Sequence, residues 1–282
     1  MRKITAALLV SALLALTLFR VGCAEEAKEG ARKGVQAEVL LAECNLAMSG
    51  LVAYRVSGRI EMSAEEGETA ETGLPMTIEF QSEILAQGAE VNRHIITSTS
   101  SGAVGGEYEM EYFLIGKQGY LHDPNQGWLR MDLSAYMIQE LNTGFIDAQK
   151  IALMIGVAGE ANVFAEDEEV IGISFELDKD YLKAAFESAG EYIGRLGGSL
   201  PGEWRQSMEE MTAGYRADVR MWVRRDNKLV DRMEIDSRQG VTPTMSSIER
   251  KISVKLFDYN QDIRLVLPEE ARKAKEFTVP GI

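Results

Sequence analysis

The chain has 282 residues, of which 45% are hydrophobic and 26% charged, with 44 acidic against 30 basic side chains and a formal charge of −14. That imbalance opposes nucleic acid and anionic headgroup surfaces as partners, while the hydrophobic share is enough to fold around a core. Two cysteines, Cys23 and Cys44, allow at most one disulfide, which excludes a small scaffold held by several bridges.

Arg2 and Lys3 precede sixteen uncharged residues from Ile4 to Phe19, the basic-then-apolar layout of a secretory signal. A permanent membrane span needs about 20 such residues, so this run is short for one. It ends in "LFRVGCAEEAKEG". Val21, Gly22 and Cys23 fit the close of a bacterial lipoprotein processing box, after which the cysteine becomes the acylated first residue, whereas Arg20 stands where that pattern has leucine. Ordinary cleavage after Ala24 and an uncleaved anchor are the alternatives. The reading taken forward has residues 1–22 as signal peptide, Cys23 as lipid anchor, 23–33 as a flexible tether and 34–282 as a single domain. Several acyl chains on Cys23 would give the multiple anchors that stable attachment requires. The domain is then extracytoplasmic, tethered to a membrane of the cell envelope. Without Arg2, Lys3 and Arg20, the exported part keeps 27 basic residues against 44 acidic ones, about −17. If Cys23 is acylated, no disulfide can form within the chain, and Cys44 reads as a small buried hydrophobe.

Val35, Val39, Ala42 and Leu46 recur at helical spacing, predicting a helix to about Ser49. The period then becomes two. Tyr54, Val56, Gly58, Ile60 and Met62 alternate with Arg55, Ser57, Arg59, Glu61 and Ser63, a strand with one wet face. "PMTIEFQSEI" repeats the pattern beyond an acidic loop over Ala64–Leu74. Strands follow at Val91–Ser98, Glu107–Ile115, around Tyr120 and at Trp128–Leu133, with "SGAVGG" as a hairpin loop. Phe145–Ala158 predicts a helix that is apolar around most of its circumference and so must be covered on more than one side. A strand at Val170–Leu177, a helix at Asp180–Leu196 and a short helix at Glu203–Met211 come next. "RADVRMWVRRDNKLVDRMEID" reads as a hairpin turning near Asp226 and Asn227, and "IERKISVKLFDYN" as one more strand before a polar end. Strands gather at both ends and helices in the middle, without βαβ alternation. That predicts an α+β class, a curved antiparallel sheet with helices packed on its concave face.

Three stretches resemble bacterial lipoproteins of the LolA/LolB and LppX type: "AECNLAMSGLVAYRVSGRIEM", "IGKQGYLHDPNQGWLRMDLS" and "FDYNQDIRLVLPEEARKA". They are similar to that group's helix running into a Tyr-Arg-x-x-Gly strand, its Gly-Tyr hairpin ending in Trp, and its closing Asp-Tyr-Asn and Pro-Glu-Glu-Ala tail. The resemblance implies an unclosed half-barrel with helices in its mouth and a cavity able to hold acyl chains. It settles no function.

For chemistry the chain offers little. His94 and His122 are the only histidines, placed on separate strands or turns, and no Cys/His/Asp spacing suits a metal. No nucleophile elbow, P-loop or dinucleotide fingerprint is present. Catalysis would need His94 or His122 to meet carboxylates in space. No cofactor, metal or nucleic acid is implied, and the protein reads as non-catalytic. The candidate lining of an apolar cavity is Met62, Met76, Phe80, Met110, Ile151, Met154, Ile155, Phe186, Tyr192 and Met221. Methionine adapts its shape, which suits flexible chains, although each of these residues is equally what a packed core would use. Trp128 and Trp222 read as core or rim anchors. Two functions follow: binding of a lipid or other apolar ligand, or an envelope protein-interaction or sensor module with a filled core. A continuous apolar cavity well above about 300 Å³ would favour the first.

Overall fold

The computed structural model describes residues 36–64, 75–87, 90–101, 106–132, 146–195, 212, 214–239 and 247–276. Cys23, the signal and tether, the acidic loop and the expected helix at Glu203–Met211 lie outside the described residues.

The described residues form twelve strands, most of them from the period-two segments: β1 Ala53–Ala64, β2 Met76–Gln87, β3 Glu90–Ser101, β4 Gly106–Ile115, β5 Gln118–Asp123, β6 Gly127–Asp132, β7 Ala161–Glu166, β8 Val170–Leu177, β9 Arg216–Arg224, β10 Val230–Gln239, β11 Ile248–Phe257 and β12 Lys275–Glu276. They make one sheet in the order β12-β6-β5-β4-β3-β2-β1-β11-β10-β9-β8-β7. Neighbours are antiparallel except β12 on β6. The β1–β11 pair joins strands nearly two hundred residues apart and welds the two ends of the chain into one sheet. Its edges, β7 and β12, stand at opposite ends of that order, so the sheet is an unclosed half-barrel.

Alternation decides which face is inner. On β9, Ala217, Val219, Met221 and Val223 are buried while Arg216, Asp218 and Arg220 are exposed. The same parity buries Met233 and Ile235 on β10, Ile252, Val254 and Leu256 on β11, and Val56 and Ile60 on β1. Helix α1 (36–49), α2 (Ala148–Gly156) and α3 (Lys179–Arg195) set their apolar stripes against that face, and Leu41, Met48, Ile151, Met154 and Tyr181 join its strand residues in one core. Among the described residues a further helix, α4 (Glu269–Arg272), is a single turn. Cys44 is fully buried on α1, and burial pushes its thiol up to about 12, which leaves it inert.

"FDYN" fastens the two middle strands. Asp258 and Asn260 adopt left-handed backbone, which short polar side chains tolerate best. The Asn260 amide donates to the Ala53 carbonyl at 2.6 Å, and its side-chain oxygen accepts from the Val52 amide at 3.0 Å. The Tyr259 hydroxyl reaches the carbonyls of Val230 and Leu256.

Strand β7 has no counterpart in the sequence reading. It is an edge strand that buries only Ala161 fully, so it shows no apolar alternation to find. Helix α2 starts at Ala148 because Asp147 caps it, accepting from the Lys150 amide at 2.7 Å. His122 lies on β5, not in a turn.

Gly58 sits between Val56 and Ile60 with Phe80 opposite. A Cβ there would meet the Phe80 ring at 2.6 Å and the Ser253 carbonyl oxygen at 2.8 Å. Gly58→Ala should therefore lower stability by about 1–3 kcal/mol, read as an earlier urea midpoint at unchanged slope. Gly156→Ala, whose Cβ would have no atom within 4 Å, should stay within about 0.5 kcal/mol or gain slightly.

Candidate functional site

The inner face differs at its two ends. At one end, cross-strand register aligns Tyr54, Ile84, Arg93 and Leu114 on β1 to β4. All four are buried, and they seat the N-terminus of α2. The Ala148 amide donates to the Tyr54 hydroxyl at 3.1 Å. Arg93 Nη2 lies 2.5 Å from Asp147 Oδ2, with the two side chains 7% and 5% exposed. Desolvating two charges costs several kcal/mol each, offset only by close geometry and further donors. Asp147 has both. Burial raises its carboxyl, but Arg93, Lys150 and the backbone N–H groups of Lys150 and Gln149 hold it below the usual carboxylate range.

At the other end the face stays partly open. Met62 faces Met76 across β1 and β2, and faces Arg250 across β1 and β11. Met62, Met76 and Met110 are half-buried although they occupy core-facing positions. Between these ends Phe80 lies opposite Thr97, which lies opposite Met110. The Tyr112 hydroxyl points to the Met110 sulfur at 3.2 Å.

The residues expected to line a cavity thus separate into two groups. Phe80, Ile151, Met154, Ile155 and Met221 are buried in the common core, and Phe186 is buried on α3. Met62 and Met76 border that core at the far end and Met110 borders it midway along the face. The side chain of Tyr192 lies outside the described residues.

Clefts of about 1130 and 610 Å³ open on the outer, polar face. The larger is bordered by Arg216, Asp218, Arg220, Trp222, Glu234 and Asp236. Trp222 is therefore no core anchor. It lies outside, with the Arg232 guanidinium 4.3 Å from its ring centre and Phe164 edge-on at 5.3 Å. Histidine and carboxylate do meet on this face. His94 Nε2 is 2.8 Å from Glu111 Oε1, and its other nitrogen is 3.8 Å from Glu83. Its ring stacks on Phe113 at 4.2 Å, and Trp128 tilts against Phe113 and His122. Glu83 is also bound by Arg55, which reaches Asp258. This is an ion-pair ladder over a patch of rings, and His94 borders neither cleft. Among the described residues no group of three His, Cys, Asp or Glu could hold a metal.

Sequence reading passed over Arg93 and Arg250. Both stand on apolar parity, Arg93 between Val91 and Ile95 and Arg250 between Ile248 and Ile252. A cation at a core-facing position of a strand was the available signal.

No protein-family profile matches the chain, and no curated protein does. Similar solved structures include LprF from Mycobacterium bovis, 10% identical, covering 83% of this chain and 97% of that one with a TM-score of 0.48. A LolA superfamily protein from Nitrosomonas europaea is 13% identical over 83% of this chain and 96% of its own, with a TM-score of 0.28. A DUF1329 family protein from Desulfovibrio piger is 8% identical over 83% and 95%, with a TM-score of 0.31. The LolA group that the sequence resembles is thus represented among them. The unclosed antiparallel sheet with helices on one face, which that resemblance implies, stands on the strand order and register themselves.

Because Asp147 titrates lower when folded than the unfolded value of about 3.9, its stabilisation is complete above that value and is lost as pH falls through the folded one. Stability should fall below about pH 4. Asp147→Asn should cost about 3–5 kcal/mol at neutral pH, by leaving the Arg93 charge without its carboxylate, and should flatten the acid limb. Urea unfolding from about pH 7 down to about pH 3 reads both effects.

Proposed function

We propose that this protein is a membrane-anchored extracytoplasmic lipoprotein that holds a lipid or other apolar ligand between the inner face of its half-barrel and the helices, without catalysis. One observation carries the reading. Met62 and Met76, at the end away from the α2 seat, and Met110, on the middle row, leave apolar surface partly exposed on the core-facing side of the sheet. Apolar residues of core parity that stay partly in water are what a bound chain would cover. Partitioning is then the whole mechanism. Each buried CH₂ contributes about 0.8 kcal/mol, so one long acyl chain retains several kcal/mol after ordering costs. Three thioether side chains at the entry can follow the contour of a flexible chain. The Arg93–Asp147 pair keeps α2 in place at the far end, so adjustment falls to the methionine end. Acylation of Cys23 would hold this site at a membrane surface, where such ligands reside. The ligand needs no cofactor.

A second reading has its own support. The middle of the core is filled, with Ile151, Met154 and Met221 at most 2% exposed, and the larger cleft lies on the charged outer face. An envelope protein partner docking there would make the fold an interaction or sensor module.

Native mass spectrometry of the chain recovered from the envelope, followed by organic extraction, separates the two. A stoichiometric lipid that leaves on extraction supports the apolar site, and Met76→Asp should then weaken uptake of a fluorescent acyl probe by about tenfold or more. An empty protein that refuses the probe would shift the search to protein partners. Separately, Cys23→Ala should release the protein from the membrane fraction. Unchanged anchoring would point to an uncleaved signal.

A further inference from the structure

The core-facing positions of β11 are Ile248, Arg250, Ile252, Val254 and Leu256, so one guanidinium stands in an otherwise aliphatic row. Register fixes its flanks as Met62 on β1 and Ser237 on β10. Ser237 is 9% exposed and the next inward residue of β10, Gln239, is 6% exposed. Tyr215, buried ahead of β9, acts on the guanidinium electrostatically, and its ring lies 6.1 Å from that of Tyr181. The methionine end of the apolar face therefore carries a small polar group of residues around one cation.

What sets Arg250 apart is the comparison with Arg93. Both occupy inward positions of central strands. Arg93 has the Asp147 carboxylate at 2.5 Å. Among the described residues no carboxylate pairs with Arg250, and its Nε is closed to solvent with no hydrogen-bond partner. Burial lowers its guanidinium pKa, and Tyr215 acts in the opposite direction. Tyr215 itself is pushed up to about 12 by burial, so it stands beside the cation as a neutral hydroxyl and not as a counter-ion. Arg250 is only partly buried, and with no described carboxylate beside it the desolvated part of its charge is left uncompensated, which is costly. A planar guanidinium is also the group best shaped to grip a carboxylate or phosphate through two parallel hydrogen bonds.

We propose that Arg250 is an oxyanion-binding centre on the inner face, taking the carboxylate or phosphate group of an amphiphile whose chain lies along Met62 and Met76 toward Phe80. This rests on the apolar-ligand reading for the chain, while the anion itself could come from a lipid headgroup or from free phosphate. The ligand class narrows accordingly. Anionic single-chain or multi-chain lipids fit, and uncharged waxes, sterols and alcohols fit less well.

The test uses the full chain carrying Cys23→Ala, with palmitate, hexadecanol and inorganic phosphate as probes, at about pH 8 where a carboxylic acid is ionised. Palmitate and hexadecanol share a chain and differ in the anion. The parent should bind palmitate about tenfold or more tightly than hexadecanol. Arg250→Met should bind the two alike, with hexadecanol affinity held within about twofold of the parent. Arg250→Lys should keep most of the preference, because the charge remains where the fork is lost. Removing a partly desolvated charge that no described carboxylate offsets should not lower unliganded stability, so Arg250→Met should fold. If it does not, Arg250→Gln and Arg250→Lys carry the comparison. A thermal midpoint raised by phosphate in the parent and not in Arg250→Met supports the oxyanion centre with free phosphate as the source, even if both chain probes fail and the apolar-ligand reading falls. Equal affinity for palmitate and hexadecanol, with no Arg250-dependent phosphate effect, overturns the proposal and leaves the apolar-ligand reading intact.

Discussion

A sheet with one apolar face that does not close on itself must have that face covered by something else. A closed barrel uses its own opposite wall. Here twelve strands run from β12 to β7 without meeting, so Val56, Ile60, Met221, Met233 and Leu256 depend on helices for cover. The position of each helix follows from that requirement. Helix α1 buries Leu40, Leu41, Cys44 and Met48, and α2 buries Ile151, Met154 and Ile155. Cover is complete where the Arg93–Asp147 pair and the Tyr54 hydroxyl hold α2 down, and it thins toward Met62, Met76 and Met110.

Charge inside such a fold is informative because the interior tolerates so little of it. Arg93 and Asp147 pair through Nη2 and Oδ2, and Asp147 also starts a helix, so one carboxylate serves both an ion pair and a cap. The outer face distributes its many charges differently. Arg55, Glu83, His94 and Glu111 run across four neighbouring strands, half in water, where each contact contributes little alone. The meeting of histidine and carboxylate at His94 belongs to that ladder. Its geometry orders the sheet surface, with Phe113 stacked on the His94 ring, and it borders neither of the two outer clefts.

Much of this was legible in the sequence because alternation is a strong signal on long, one-faced strands. The rows around Tyr54, Ile78, Met221 and Ile252 gave both the strands and their inward parity, and the antiparallel class followed. Trp222 read as a core or rim anchor; its parity beside Met221 and Val223 puts it on the outer face, which leaves the rim alternative. Strand β7 was invisible because an exposed edge strand buries too little to show a period. The start of α2 was set by Asp147, a capping residue whose second partner, Arg93, is more than fifty residues away, and no local pattern carries such information. Burial of Phe80, Ile151, Met154 and Met221 was foreseeable. Which of the candidate lining residues stay partly exposed, Met62, Met76 and Met110, was not, because that depends on where the helices stop.

The central claim is that an acyl chain lies on the inner face at its methionine end. Methionine-methyl NMR on the full chain carrying Cys23→Ala, titrated with palmitate, tests it most directly. An inner-face site predicts that the methyl signals of Met62, Met76 and Met110 move together, while that of Met48, buried on α1 at 1% exposure, stays in place. If palmitate binds and those three signals do not respond, the chain lies elsewhere and the inner face is only a core.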